Sequence, residues 1–168
     1  MENINIKDAI DYRKKTIELG LEFPDGVVLL PISLENATTK EGLMHEAEYE
    51  TVQKLFQANG INANPIQDKN EKIPKIVNQN FEWAGPLILF TTTIITQHPE
   101  IITNSIDILT NYLKKKLRGV PRGDNSVNLS ISTETKSGNF KNITYTGPVE
   151  GLKDLADVVK AAHEERDG

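Results

Sequence analysis

Val127-Asn128-Leu129-Ser130-Ile131-Ser132 and Asn142-Ile143-Thr144-Tyr145, with Ser137-Gly138-Asn139 between them, decide the fold of this chain. In both stretches apolar and polar residues alternate. Side chains on a strand point to opposite faces with period two, so the two stretches form an antiparallel hairpin with one dry and one wet face. Two earlier stretches differ from these. Leu87 to Ile95 is rich in β-branched residues and apolar on both parities, and Val27 to Ile32 is almost continuously apolar. Such runs suit central strands covered on both faces. Pro31 has no N–H for a ladder, which ends the earlier strand there, and Pro74 makes Ile73-Pro74-Lys75-Ile76-Val77 a short edge strand.

Between these strands the period changes. Ile6, Ala9, Ile10, Ile17 and Leu21 fall at spacings near three and four, which predicts a helix over 5–19 that stops at Gly20. Thr38-Thr39-Lys40-Glu41 matches a capping box and opens a helix that runs to Asn59, with Gly60 just beyond it. Pro99 and Glu100 suit a first helical turn, followed by the stripe Ile102, Ile106, Leu109, Leu113 and Leu117. Gly147-Pro148 leads into a last helix with Val149, Leu152, Leu155, Ala156 and Val159 on one side.

The order is therefore α-β-α-β-β-α-β-β-α. It predicts a mixed α/β fold: about five strands in a mixed sheet, a C-terminal antiparallel hairpin and four helices packed on the sheet. Helices on both faces would explain the apolar central strands, and the hairpin should be covered on one side only. At 168 residues the chain reads as a single domain, 1–168. The hairpin-helix unit 124–165 is a candidate subdomain that, with few large apolar side chains, would be marginal alone.

Composition narrows the chemistry. Cysteine is absent, which excludes disulfide scaffolds, Cys-ligated metals and a Cys nucleophile. Lys and Arg number 19 against 24 Asp and Glu, a net charge of −5 that argues against a globally basic nucleic-acid binder. The three histidines, 45, 98 and 163, are scattered, so no metal site and no cofactor is expected. Met1-Glu2-Asn3-Ile4-Asn5-Ile6 lacks the basic and apolar regions of a secretory signal. The apolar-leaning run Pro86 to Thr96 is too short to span a bilayer. A cytoplasmic protein without a membrane role is the expectation. Abundant Ile, Asn and Lys, with only four Arg, point to an AT-rich bacterial source.

Several groups of residues are candidates for a site. His45-Glu46-Ala47-Glu48-Tyr49-Glu50 combines an imidazole with carboxylates that could serve a metal or acid/base chemistry, although position 49 breaks an H-E-x-x-H pattern. Lys114, Lys115, Lys116, Arg118 and Arg122 form a run of cations without an acid among them, able to meet phosphates; they also suit a helix C-terminus, where cations complement the macrodipole. Trp83, before the central strand, could anchor a partner or cap the core. If the crossovers are parallel, a ligand crevice belongs at the carboxyl ends of the strands, near Ser33 to Asn36 and Thr93 to His98, which brings in Glu35 and His98. Gly147-Pro148-Val149-Glu150-Gly151-Leu152 is not a phosphate loop: Pro148 removes a donor and Glu150 repels an anion. No serine sits in a nucleophile elbow.

These features favour a non-enzymatic domain that binds a protein partner or a second copy of itself, such as an accessory subunit of a bacterial multi-component system. An acid/base or metal-dependent enzyme around His45 and its neighbouring carboxylates is the alternative, and phosphate or nucleic-acid binding through Lys114 to Arg122 a further one. Acid is concentrated at 41–50 and 150–167, base at 114–122. That segregation points to oriented docking.

Overall fold

A computed structural model describes residues 3–66, 72–76, 83–119 and 126–165. It shows the mixed α/β architecture, with two more strands and one more helix among the described residues than expected. The strands are β1 (Asn3–Ala9), β2 (Val27–Leu30), β3 (Ala63–Pro65), β4 (Trp83–Ala84), β5 (Leu87–Phe90), β6 (Ser126–Glu134) and β7 (Phe140–Pro148). The helices are α1 (Tyr12–Glu18), α2 (Tyr49–Ala58), α3 (Thr92–Gln97), α4 (Glu100–Lys116) and α5 (Leu155–Glu164), with 3₁₀ turns at Lys40–Gly42 and Val149–Asp154. The sheet order is β1-β7-β6-β5-β2-β3, and β4 pairs with β6 beyond the end of β5.

The hairpin forms with the expected alternation, but it is not covered on one side only: on the polar face Ser132 is fully buried and Tyr12 of α1 bonds to Asn142. Asn128 lies opposite Thr146, Ser130 opposite Thr144 and Ser132 opposite Asn142 on one face. Val127, Leu129, Ile131, Ile143 and Tyr145 are fully buried on the other, where α5 packs. The parallel pairs β2–β3 and β5–β6 are each joined through helices, as parallel connections require. β2 runs antiparallel to β5.

Two apolar layers enclose β2 and β5. Val27, Leu29, Ile88 and Phe90 face a core with Val52 and Phe56 of α2, Ile102, Ile106, Leu109 and Leu113 of α4, and Leu155 and Val159 of α5. Val28, Leu30 and Leu89 face a second core with Tyr12, Leu34, Leu43, Ile66 and Phe140. Both faces are thus covered, but the second cover is α1 and the irregular arm 31–48 rather than a helical layer.

Four further sequence expectations are corrected. Residues 5–19 are not one helix. Ile4 and Ile6 alternate with Asn3, Asn5 and Lys7, and the whole of β1 pairs with β7, from Asn3 opposite Thr146 to Ala9 opposite Phe140. The helix begins only at Tyr12, where the Asp11 side chain accepts from the Lys14 N–H at 3.0 Å. Ile17, which helped to suggest the longer helix, is 61% exposed. A short apolar run satisfies both periods, and the unpaired edge of β7 decides between them.

The helix expected over 38–59 is reduced to a 3₁₀ turn and α2. His45 lies in extended backbone that bridges Lys75 in parallel, with the His45 N–H on Pro74 O at 2.9 Å and the Ile76 N–H on His45 O at 3.0 Å. The backbone groups that a helix would have used are taken by this strand, so the pairing of 73–76 is with 45 rather than with a sheet edge. Val77 lies outside the described residues.

The strand expected over 87–95 ends at Phe90. Thr91 is buried and its hydroxyl donates to Asp25 Oδ1 (3.2 Å) or Gly26 O (2.9 Å), which closes β5 and begins α3. The Glu134 carboxylate accepts from the Thr92 N–H at 2.9 Å, at the positive end of α3, and pairs with Arg13 at 3.2 Å. Finally, the chain stays in β7 through Gly147-Pro148, makes a 3₁₀ turn and only then enters α5. The apolar stripe expected there is buried.

Candidate functional site

The reversal between β2 and β5 has a direct consequence for the crevice. Val27 is opposite Phe90 and Leu30 opposite Leu87, so the carboxyl end of β2 lies beside the amino end of β5. Glu35 and His98, which follow those two carboxyl ends, are therefore at opposite ends of the sheet. His98 is exposed where α3 ends, with Nδ1 3.5 Å from Glu100 Oε1.

A cleft of about 200 Å³ opens at the Glu35 end. Tyr12 of α1 forms one wall, Pro31, Ile32, Leu34 and Glu35 of the arm another, and Gly85, Leu87, Ser130 and Asn142 the floor. Its polar centre is built by the polar face of the hairpin. Tyr12 Oη donates to Asn142 Oδ1 at 2.8 Å, and Ser132 Oγ donates to the same oxygen. Ser130 and Thr144 share a hydrogen bond at 3.4 Å. Burial raises the Tyr12 phenol above its ordinary pKa, and the nearby Glu35 carboxylate adds to this against the hydrogen bonds from Ser132 and Asn142. The hydroxyl stays protonated and available as a donor at neutral pH.

Asn142, Ser130 and Ser132 were legible as residues of the hairpin's polar face, although Ser132 is fully buried rather than wet and nothing local marked them as a site. Tyr12 was concealed inside the helix expected over 5–19. The signal that identifies it is the Asp11 cap one residue earlier.

His45 and Glu48 do not form a shared centre. The imidazole is fully buried, stacked on Tyr49 with ring centroids 4.1 Å apart, and Nε2 lies 3.0 Å from Ile66 O. With Nε2–H donating to that carbonyl, Nδ1 is left as a buried acceptor without a partner. Burial lowers the His45 pKa, partly offset by the Ile66 carbonyl and by Glu50. Glu48 points elsewhere and meets Lys116 at 3.2 Å. Among the described residues no group of three or more His, Asp or Glu side chains could hold a metal.

The cationic run is likewise partly engaged. Lys114, Lys115 and Arg118 are exposed at the end of α4, while Lys116 is held by Glu48; Arg122 lies outside the described residues. Glu50 pairs with Lys72 at 3.3 Å and Lys75 at 3.5 Å, and these cations, with the Tyr49 hydroxyl, hold its carboxyl below the ordinary value. The acidic stretch and the basic run, separate in sequence, thus neutralise each other in part across the fold.

Trp83 belongs to the core. It is buried beside Val127 in the β4–β6 pair, and its ring lies directly over Gly85. A Cβ at 85 would come 2.4 Å from Trp83 Cη2 and 3.3 Å from Leu129 Cδ1. Gly85→Ala is therefore expected to displace the indole and to cost about 1–3 kcal/mol in urea unfolding. A red-shifted Trp83 emission should accompany it. Unchanged emission and stability would show that the indole is not held against Gly85.

Among the described residues no helix is long and apolar enough to cross a membrane. No known protein family, curated protein or solved structure matches this chain.

Proposed function

We propose that the protein is a non-enzymatic binding module that accepts an extended segment of a protein partner along the outer edge of β1. The observation that carries this reading is the edge itself. β1 is seven residues long, ends the sheet, contains no proline and pairs without a bulge along β7. Long, regular edges present unpaired N–H and C=O groups that template a further strand. The opposite edge, β3, has three residues and ends in Pro65.

β1 also states what the added strand should look like. Ile6 is 44% exposed on the face that carries Ile4, while Asn3, Asn5 and Lys7 share the other. A complementary segment alternates apolar residues beside Ile4 and Ile6 with polar residues, an acid being favoured next to Lys7. β1 itself fits much of this description. Paired antiparallel with a second copy about Asn5, it sets Ile4 opposite Ile6 twice and Asn3 opposite Lys7, with no like charges apposed among residues 3–7. Self-association through β1 is accordingly the second reading. The cytoplasm of a bacterium is the setting we assign, on composition.

The test uses a synthetic peptide of residues 3–9 and amide hydrogen exchange. Slowed exchange confined to β1, weakened about tenfold in Ile6→Lys, is the expected result. The substituted side chain is already half in solvent, so the fold should tolerate it. If the peptide protects no amide of β1, or if Ile6→Lys binds it equally well, strand addition is wrong. Sedimentation of the protein alone then separates a second copy from a different partner.

A further inference from the structure

The cleft at the carboxyl end of β2 is a different feature from the β1 edge, and its chemistry is more specific. Among the described residues that line it, Glu35 is the one with a charged side chain. Tyr12 is held neutral by burial. A ligand therefore meets one negative charge at the mouth of the cleft.

The opposite pole is fixed by Asn142. Its carbonyl oxygen accepts from both the Tyr12 and Ser132 hydroxyls. With that oxygen turned toward the two hydroxyls, the NH₂ end of the amide faces away from them. The Asn142 NH₂ group is left as a donor and calls for an acceptor oxygen. Lys7 is the cross-strand neighbour of Asn142 on the same face, so a charged oxygen is favoured there over a neutral one. Between the two poles the walls are aliphatic: Pro31, Leu34 and Leu87, with Ile32 42% exposed at the rim.

We infer that this cleft binds a primary ammonium group next to a carbonyl, the ammonium on Glu35 and the carbonyl oxygen on Asn142, with a small branched aliphatic side chain against Leu34 and Leu87. A free α-amino acid and the N-terminal residue of a peptide both carry this chemistry. The cleft of about 200 Å³ has room for one such residue. Preorganisation supports the assignment. Tyr12 is 2% exposed and Ser132 fully buried, so the hydroxyls that orient Asn142 are fixed before any ligand arrives.

The test follows the Asn142 side-chain amide by NMR while the intact protein is titrated with valine, with the tripeptide Val-Gly-Gly and with N-acetylvalinamide. Valine, the tripeptide or both should shift the Asn142 NH₂ resonances in the millimolar range, and N-acetylvalinamide, which lacks the ammonium, should not. Glu35→Gln, an exposed substitution that should leave the fold intact, should weaken binding at least tenfold. Lys7→Gln should weaken valine more than the tripeptide, whose carboxylate lies farther off. Binding of valine alone assigns a free amino acid, and equal or stronger binding of the tripeptide assigns a peptide N-terminus. The proposal is overturned if neither ligand moves the Asn142 resonances, if N-acetylvalinamide binds as well as they do, or if Glu35→Gln has no effect. None of these results bears on whether β1 accepts a strand, which is read from the amides of residues 3–9.

Discussion

Lowering the pH from about 7 to about 5 is expected to destabilise the fold through His45. The imidazole is sealed in the protein, stacked on Tyr49, with one nitrogen on the Ile66 carbonyl and the other unpartnered. Burial holds its pKa below the ordinary value, against the smaller opposing pull of Ile66 and Glu50. As pH falls below about 6.5 the unfolded chain takes up a proton at this position before the folded chain does. Stability is thus complete above that pH and is lost as pH falls from there to the depressed folded-state value. His45→Gln retains a donor for Ile66 O but does not titrate. It should cost about 1–2 kcal/mol at neutral pH, through lost stacking and packing, and should remove this part of the acid sensitivity. Urea unfolding of both proteins at a series of pH values checks it. Parallel loss of stability in the two proteins would place the titrating group elsewhere.

Tyr12→Ala should cost more, about 3–5 kcal/mol. Tyr12 is buried, meets the Phe140 ring edge-on at 5.4 Å, and carries the hydrogen bond that joins α1 to Asn142. α1 has only seven residues, too few to be helical without tertiary support. Tyr12 and Thr16 supply that support, one turn apart on the buried side. Removing the ring therefore opens a cavity in the second core and loosens the helix as well. Tyr12→Phe isolates the hydroxyl. It should cost about 1 kcal/mol, because Ser132 still satisfies the Asn142 carbonyl. Chemical denaturation gives both values, and hydrogen exchange of 12–18 reports whether α1 detaches first. Equal losses in the two variants would mean that the ring contributes little to holding α1.

Charge pairing across the fold shows why sequence neighbours mislead about electrostatics. Acid at 41–50 and base at 114–122 suggested two poles for oriented docking. Glu48 instead meets Lys116, and Glu50 meets Lys72 and Lys75. Lys141 does the same at the other end of the sheet, tying Asp8 of β1 at 2.8 Å to Glu165 after α5 at 3.0 Å, and these carboxylates raise its pKa. Partners of this kind cannot be inferred from local charge density, because they are set by which elements pack together.

The same distinction runs through the fold and the site. The hairpin, α4 and the buried stripe of α5 were legible because each repeats one period long enough to exclude the other. The double cover of β2 was legible in its unbroken apolarity. β1 was not, because Ile4, Ile6, Ala9 and Ile10 satisfy both helix and strand spacing, and only the free edge of β7 settles the matter. The helix over 38–48 was lost to backbone pairing with 74–76, and the end of β5 to the Thr91 contacts with Asp25 and Gly26. By itself, then, the sequence determined what is local: the amphipathic period of the longer elements, the glycine stops at Gly20 and Gly60, and the absence of cysteine chemistry. The tertiary structure alone decided the antiparallel setting of β2 against β5, which separates Glu35 from His98. It also decided the contact of Tyr12 with Asn142, 130 residues apart, which makes the cleft. Local pattern encodes which face of an element is apolar, while a polar site depends on which faces meet.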